Sequence, residues 1–417
     1  MRKSFILTTA LVSLLALSRP AAAEVEIGGF VQGLYGYGLD RDNPVESEMS
    51  ASEVRLQMRL ESYSDAAEYF GRLDFLYEDY LDPDYGLALR EAYIKFVVFG
   101  KLDMKVGRQI ATWGTGDLIF INDLFPKDYE SFFSGRDDQY LKAPQNSIRA
   151  SLYTGIASLD VVYTPRFSPD IIPTGERFSY FNPMSGSIVG GEGALFEPPL
   201  PAPELGNGEL AARLSRYVGS VDAALYYYRG FYKNPVGIDP GAMSAFYPEL
   251  QVFGASLRSP LLGGVFWAES GYYDSRGDSD GTDPFVPNSS IQGMAGFERA
   301  VNSSLTLNIQ YKNEMMLDHE SYLETLPASM TEADEIYHLL TSRMTMLFMM
   351  ETLNLSTFVF YSPSEEDLYG RISLSYKVSD QVTAVAGANI FAGDSDYTRF
   401  GSSGMNDNVY MKFTYGL

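Results

Sequence analysis

The sequence predicts an all-β fold: a transmembrane antiparallel β-barrel of about 18 strands, with long outer loops and short periplasmic turns. Three observations predict it. Apolar and polar residues alternate strictly over many segments, the connections between those segments alternate between short and long, and no segment after the N-terminal leader is long and apolar enough for a membrane-crossing helix.

The leader comes first. Arg2 and Lys3 form a positive start, Phe5 to Leu17 an apolar run, and Ala21-Ala22-Ala23 a small-residue cleavage site. Residues 1–23 therefore read as a signal peptide, and 24–417 as a single outer-membrane barrel domain. The apolar run is shorter than the roughly 20 residues that span a bilayer. Leu339 to Met350, the next most apolar stretch, is interrupted by Thr341, Ser342, Arg343 and Thr345.

The alternation is plainest in Glu53 to Glu61, where Val54, Leu56, Met58 and Leu60 alternate with Glu53, Arg55, Gln57, Arg59 and Glu61. Leu305 to Lys312 and Arg371 to Lys377 behave alike. Successive side chains on a strand point to opposite faces, so each segment has one greasy and one wet face. The pattern places strands near 25–38, 51–63, 67–80, 86–98, 101–111, 146–154, 157–164, 208–217 and 220–229. It continues with 249–258, 263–273, 289–299, 302–314, 336–348, 351–361, 366–377, 380–391 and 405–417. Sixteen strands is the fallback if a weak pair such as 146–164 is misread.

A soluble sandwich would also alternate, with its greasy face inside. Loop lengths separate the two folds. Connections after even-numbered strands are short, for example Phe99-Gly100, Gly155-Ile156 and Val218-Gly219, and those after odd-numbered strands are mostly long: 39–50, 112–145, 165–207, 230–248, 274–288, 315–335 and 392–404. A barrel sorts its loops this way because its two rims face different compartments. The last strand carries Val409, Met411, Phe413, Tyr415 and Leu417 on one apolar face.

Composition excludes several function classes. The chain has 31 basic and 54 acidic residues, a net charge of −23 that becomes −26 once Arg2, Lys3 and Arg19 leave with the leader. A nucleic-acid partner is not expected, because phosphate binding needs a basic face. Thirty Tyr, 26 Phe and 38 Gly suit aromatic girdles and bending strands. There is no cysteine, and His319 and His338 are the only histidines, so no metal cluster or Cys/His pair can be assembled. No cofactor motif is present. Asp278 to Asp283 has alternate carboxylates and a glycine like the start of a calcium loop, but lacks the closing glutamate, and reads as a solvated acidic loop. A hydrolase built on His319 beside Glu320 would need an orienting partner that the sequence does not supply.

The run Val106-Gly107-Arg108-Gln109-Ile110-Ala111-Thr112-Trp113-Gly114 precedes Asp117, Asn122, Leu124, Pro126 and Asp128. With Leu89 to Tyr93 upstream and Pro144 to Arg149 downstream, this region, about residues 86–183, resembles Gram-negative outer-membrane porin-like barrels, including alginate-export-like and related uncharacterised porins. The resemblance implies a porin fold in the cell outer membrane and names no substrate.

A barrel of this width has an aqueous lumen. Its lining would hold Arg55, Arg59, Arg72, Lys95, Lys105, Arg149, Arg213, Lys312, Arg343 and Arg371, with Glu53, Glu61, Asp74, Glu91, Asp103 and Glu314 among them. Such charges act either as a selectivity surface or as an ordinary salt-bridged wall. Strands two, three and five look locally basic, which tilts the reading toward anionic or polar solutes. The loops 112–145 and 165–207 are too long for plain connectors and too aromatic for disorder. One or both should fold inward, with Trp113, Asp117, Asp123 and Asp128 as constriction candidates. The expected function is passive diffusion of small polar or charged solutes, no enzyme activity being implied. An export or conduit barrel for a polymer or partner protein is the alternative, and an outer-membrane hydrolase a third. Lipid and small solutes are the expected partners, and a homo-oligomer such as a trimer is compatible with the sequence.

Overall fold

The structure, a computed structural model, describes residues 25–79, 84–191, 195–328 and 330–417; the proposed signal peptide lies outside them. Eighteen antiparallel strands close into one barrel. They are β1 Val25–Gly38, β2 Ala51–Tyr63, β3 Ala67–Glu78, β4 Tyr85–Val98, β5 Leu102–Gln109, β6 Gln145–Tyr153, β7 Ser158–Thr164, β8 Glu209–Val218 and β9 Val221–Phe231. The others are β10 Glu249–Leu261, β11 Gly264–Ser275, β12 Ser290–Asn302, β13 Leu305–Met316, β14 Ile336–Phe348, β15 Leu353–Ser362, β16 Asp367–Lys377, β17 Val382–Gly393 and β18 Asn408–Gly416. Each strand pairs with its neighbours in sequence, and β1 pairs with both β2 and β18, so no edge is left open.

Eighteen strands stand where the alternation places them, and the fallback of sixteen is not needed. Two ends differ. The strand expected at 101–111 stops at Gln109, where the chain leaves the wall, and the one expected from 405 starts at Asn408, because Gly401–Asn406 forms a 3₁₀ turn. Two small hairpins, Tyr180–Asn182 with Ser187–Val189 and Gly237–Asp239 with Ser244–Phe246, lie in the long connections.

The greasy phase faces outward: Val31, Val106, Leu225, Ile309, Ile372 and Met411 are all exposed. In water this belt would be intolerable; in a bilayer it is the contact surface. Exposed Tyr35, Tyr77, Tyr85 and Tyr272 gather toward the long-loop rim, and Tyr63, Tyr153, Tyr217 and Tyr415 toward the short-turn rim, as two aromatic girdles. The wet phase faces inward, and Gln32, Glu53, Asp74, Gln109 and Gln310 are almost wholly buried there. Buried polar groups of this kind need partners, and a segment inside the barrel supplies them.

Gly107, inside the run that resembles porins, has φ +135°, and a Cβ there would press into the Ala92 carbonyl of β4. Gly107→Ala is therefore predicted to destabilise the β4–β5 pairing by about 1–3 kcal/mol. A lowered urea midpoint of the barrel folded in lipid vesicles is the check. Next to it, Arg108 Nε donates to the Leu89 carbonyl at 2.6 Å, beside a register shift that makes Arg90 an extra residue in β4.

Candidate functional site: a lumen crossed by a loop

Residues 110–144, between β5 and β6, leave the wall and cross the lumen. The physical reason is the loop's own composition. Ile119, Ile121, Phe125, Phe132 and Leu141 are buried in one cluster with the inward-facing Tyr228, Val252, Trp267, Phe358, Tyr369 and Phe391. Apolar side chains from a loop this long find no cover outside the barrel, and the inner wall offers it.

The first leg is pinned to β10–β13. Glu269 of β11 accepts the Gly116 N–H at 3.1 Å, the Asn122 N–H at 3.3 Å, the Asn122 Nδ2 at 3.0 Å and the Thr115 hydroxyl at 2.9 Å; it also meets the Thr115 N–H. Gln310 of β13 accepts the Asp117 N–H and donates to the Asp117 carbonyl, both at 2.8 Å. Tyr273 donates its hydroxyl to the Ile121 carbonyl at 2.5 Å. Gly254 and Gly271 are cross-strand partners on β10 and β11, and together they form a notch. A Cβ on Gly254 would collide with the Asn122 carboxamide, and one on Gly271 would stand 3.0 Å from the Ile121 side chain. Trp113 packs edge-on against Phe125, with ring centroids 4.9 Å apart.

The tip crosses to β16–β18 and β1–β3. Asp128 caps a short helix, α1 (Tyr129–Phe133), by accepting the Ser131 N–H at 2.7 Å. Phe133 stands edge-on to Phe391 at 5.1 Å, and its carbonyl accepts Asn389 Nδ2 at 2.8 Å and Asn408 Nδ2 at 3.1 Å. Arg136 pairs with Glu53 at 2.6 Å and Glu78 at 3.0 Å. Asp137 accepts from Gln32 of β1 at 3.0 Å and pairs with Lys412 of β18. Tyr140 lies between two guanidinium groups, with Arg55 4.1 Å and Arg90 4.6 Å from its ring, and donates to Asp74 at 2.9 Å.

The loop 165–207 packs with this segment. Asp170 accepts the Lys127 N–H at 2.7 Å, Phe178 stands edge-on to Phe133, and Arg177 pairs with Glu78. Burial pushes the Glu130 carboxyl up to about 7 and that of Asp170 up to about 6, against the opposing pull of Arg177 and Lys127 respectively. Burial also opposes ionisation of Asp137, but Lys412 and Gln32 hold its carboxyl below the usual range.

The residues expected on the lumen wall fall into two sets. Arg55, Lys312, Arg343 and Arg371 stand at the level of the loop or above it. Arg55 is buried between Glu53 at 3.0 Å and Asp74 at 2.6 Å, and Lys312 pairs with Glu314 at 3.1 Å. Arg343 meets Asp117 and Arg371 meets Asp138. The other set faces the short-turn half: Arg59 with Glu61, Arg72 with Glu91, Lys95 with Glu68, Arg149 with Asp160 and Arg213 with Asp222. There Lys95 stands opposite Lys105, Lys105 opposite Arg149, and Arg59 opposite Arg72. Among the described residues Lys105 has no carboxylate partner; its ammonium sits 3.7 Å from the centre of the Tyr93 ring.

Of the four constriction candidates, Asp117 reaches a wall arginine and Trp113 lies against Tyr226 of β9 as well as Phe125, while Asp123 and Asp128 hold the loop's own shape. Asp123 binds Thr112 at 2.6 Å and Lys127 at 3.0 Å. Sequence reasoning passed over Glu269, Gln310, Gly254, Gly271, Arg136 and Arg177. The signal for the first was its phase: Glu269 shares the inward face of β11 with Trp267, Gly271 and Tyr273. His319 Nε2 lies 2.9 Å from the Ala333 carbonyl, and His338 Nδ1 2.7 Å from the Tyr311 hydroxyl. Asp278 accepts the Thr282 and Asp283 N–H groups of its own turn.

Known structures share this architecture. OccK3 (OpdO) of Pseudomonas aeruginosa matches with a TM-score of 0.56 at 11% identity, over 94% of this chain and 96% of that one. OccAB3 of Acinetobacter baumannii gives 0.56 at 11%, over 94% and 99%. OccK2 (OpdF) of Pseudomonas aeruginosa, solved in complex with glucuronate, gives 0.56 at 11%, over 94% and 98%. No curated protein matches the sequence. The closed strand ring and its outward apolar belt place the protein in the cell outer membrane. A family profile matches residues 31–276, more than half of the sequence, and the chain belongs to that family, described as protein of unknown function DUF1302.

Proposed function

We propose that the protein is an outer-membrane channel for passive diffusion of small polar or charged solutes, with a preference for anions, narrowed by its inward loop. One observation carries the reading. Below the loop, β2 to β6 present Arg59 opposite Arg72 and the row Lys95, Lys105, Arg149 to the lumen. Glu61, Glu91, Glu68 and Asp160 offset part of this charge, but Lys105 has no carboxylate partner among the described residues, and Lys95, Lys105 and Arg149 stand in one unbroken row across three strands. A water-filled conduit that draws anions gains from such a row. On this reading residues 1–23 are removed during export, the kinship with alginate-export-like barrels is one of architecture, and the barrel works alone or as a trimer. The four constriction candidates act by shaping and seating the loop.

Planar-bilayer recordings test it. Purified protein is expected to conduct in KCl and to favour chloride. Lys95→Gln, Lys105→Gln and Arg149→Gln combined should move the reversal potential toward that of a cation channel. Absence of any conductance from folded protein overturns the proposal, and an unchanged reversal potential overturns its selectivity. A polymer that copurifies with the barrel would instead favour the export reading.

A further inference from the structure

Arg343 of β14, Phe358 of β15 and Arg371 of β16 stand in one cross-strand row on the inner wall, Arg343 opposite Phe358 and Phe358 opposite Arg371. Two strand spacings put the arginines roughly 10 Å apart at the backbone. Each guanidinium lies over a ring, Arg343 over Phe358 at 5.0 Å and Arg371 over Phe132 at 4.8 Å. Each also meets a carboxylate of the inward loop: Asp117 Oδ2 is 3.0 Å from Arg343 Nε, and Asp138 Oδ1 is 2.9 Å from Arg371 Nη1.

These two contacts are wetter than the Arg136 anchor of the loop tip. The Arg136–Glu53 pair is almost dry, at 11% and 0% side-chain exposure, whereas Arg343–Asp117 stands at 27% and 24% and Arg371–Asp138 at 12% and 57%. Arg343 Nε is buried and finds no acceptor in line, although the Asp117 oxygen is within reach. Burial raises the Asp117 carboxyl above its usual range despite that neighbour. Arg371 does donate a well-formed hydrogen bond to Asp138, but that carboxylate is more than half exposed, and partly wet ion pairs are worth little and are readily exchanged.

We propose that Arg343 and Arg371 form a binding site for a short-chain dicarboxylate, and that Asp117 and Asp138 are resident stand-ins which the solute displaces. The proposal rests on the channel reading for its biological meaning. The geometry suits such a ligand. Two guanidinium groups on one row, each already facing a carboxylate of the loop, suit a solute that brings one carboxylate to each through charge-assisted hydrogen bonds. Displacement frees two ionic contacts on two sides of the loop, so the arriving solute loosens the segment that narrows its path.

Calorimetric titration of the folded barrel in detergent with succinate tests the site without depending on conductance. Saturable binding is expected, several-fold tighter in the Asp117→Asn/Asp138→Asn variant and lost in Arg343→Gln/Arg371→Gln. Acetate should bind more weakly. Lys377→Gln, at the short-turn rim, should match the unaltered protein. Folding of each variant is confirmed by its heat-dependent gel mobility. No saturable binding, or binding indifferent to the loss of both arginines, overturns the site. Tighter binding in the aspartate variant with unchanged arginine dependence supports it. Bilayer recordings with succinate separately decide the channel reading: binding without any conductance leaves the site standing and removes the channel.

Discussion

Replacing Gly254 with leucine will raise single-channel conductance several-fold. The position lies on β10 opposite Gly271 of β11, and the notch they make admits the Asn122 side chain, which donates to the carbonyls of Ala255 and Ser270 as well as to Glu269. Leucine faces the same way and suits a strand, so the barrel still closes. Its branched carbons occupy the volume of the Asn122 carboxamide. Overpacking of that kind costs about 1–3 kcal/mol when nothing moves. Moving is easier for a loop than for a barrel wall, and the first leg from Thr112 to Leu124 is displaced into water. Glu269→Ala should act in the same direction by removing the acceptor shared by Thr115, Gly116 and Asn122. A conductance equal to that of the unaltered protein would show that this leg does not narrow the path.

Arg136→Ala is expected to have the largest effect on stability. Glu53 and Glu78 are buried on the inner wall, and Arg136 bridges them, with Arg55 and Arg177 completing the cluster. Removing one partner of a buried ionic pair leaves charge uncompensated, at a cost of about 3–5 kcal/mol. The loop tip should detach from β2 and β3, and limited proteolysis from the outer side should cut near residues 134–139 at a protease dose that leaves the unaltered protein intact. Arg136→Lys keeps the charge but not the two-pronged geometry, and should fall between the two. Equal protease resistance in the alanine variant would refute the anchoring role.

The barrel wall was legible because one physical fact, period-two exposure, repeats in every strand. Val54 to Leu60 needs only lipid on one side and water on the other, and both conditions are written locally. The sorting of loops by length was legible for the same reason. What could not be read was pairing across the lumen. Asn122 and Glu269 are 147 residues apart, and neither has a neighbour in sequence that advertises the other. Arg55 shows the cost of this. Its phase places it on the inner wall, but whether it meets water or an aromatic ring depends on where Tyr140 arrives, and that depends on the whole path of the loop. Arg59, four residues along the same face, remains half exposed because the loop does not descend that far. The same alternation therefore yields a structural residue and a solvated one.

Asp137 bonds Gln32 on the first strand and Lys412 on the last. A barrel resists being pried apart only as well as its weakest seam, and the seam between β1 and β18 is the one that no turn of the chain reinforces. The loop tip sews it from within. The tip's berth is complete only when the ring is closed, because Gln32 and Lys412 come from the two strands that close it. Once seated, the tip adds a bonded bridge between the two strands to the row of backbone hydrogen bonds that joins them.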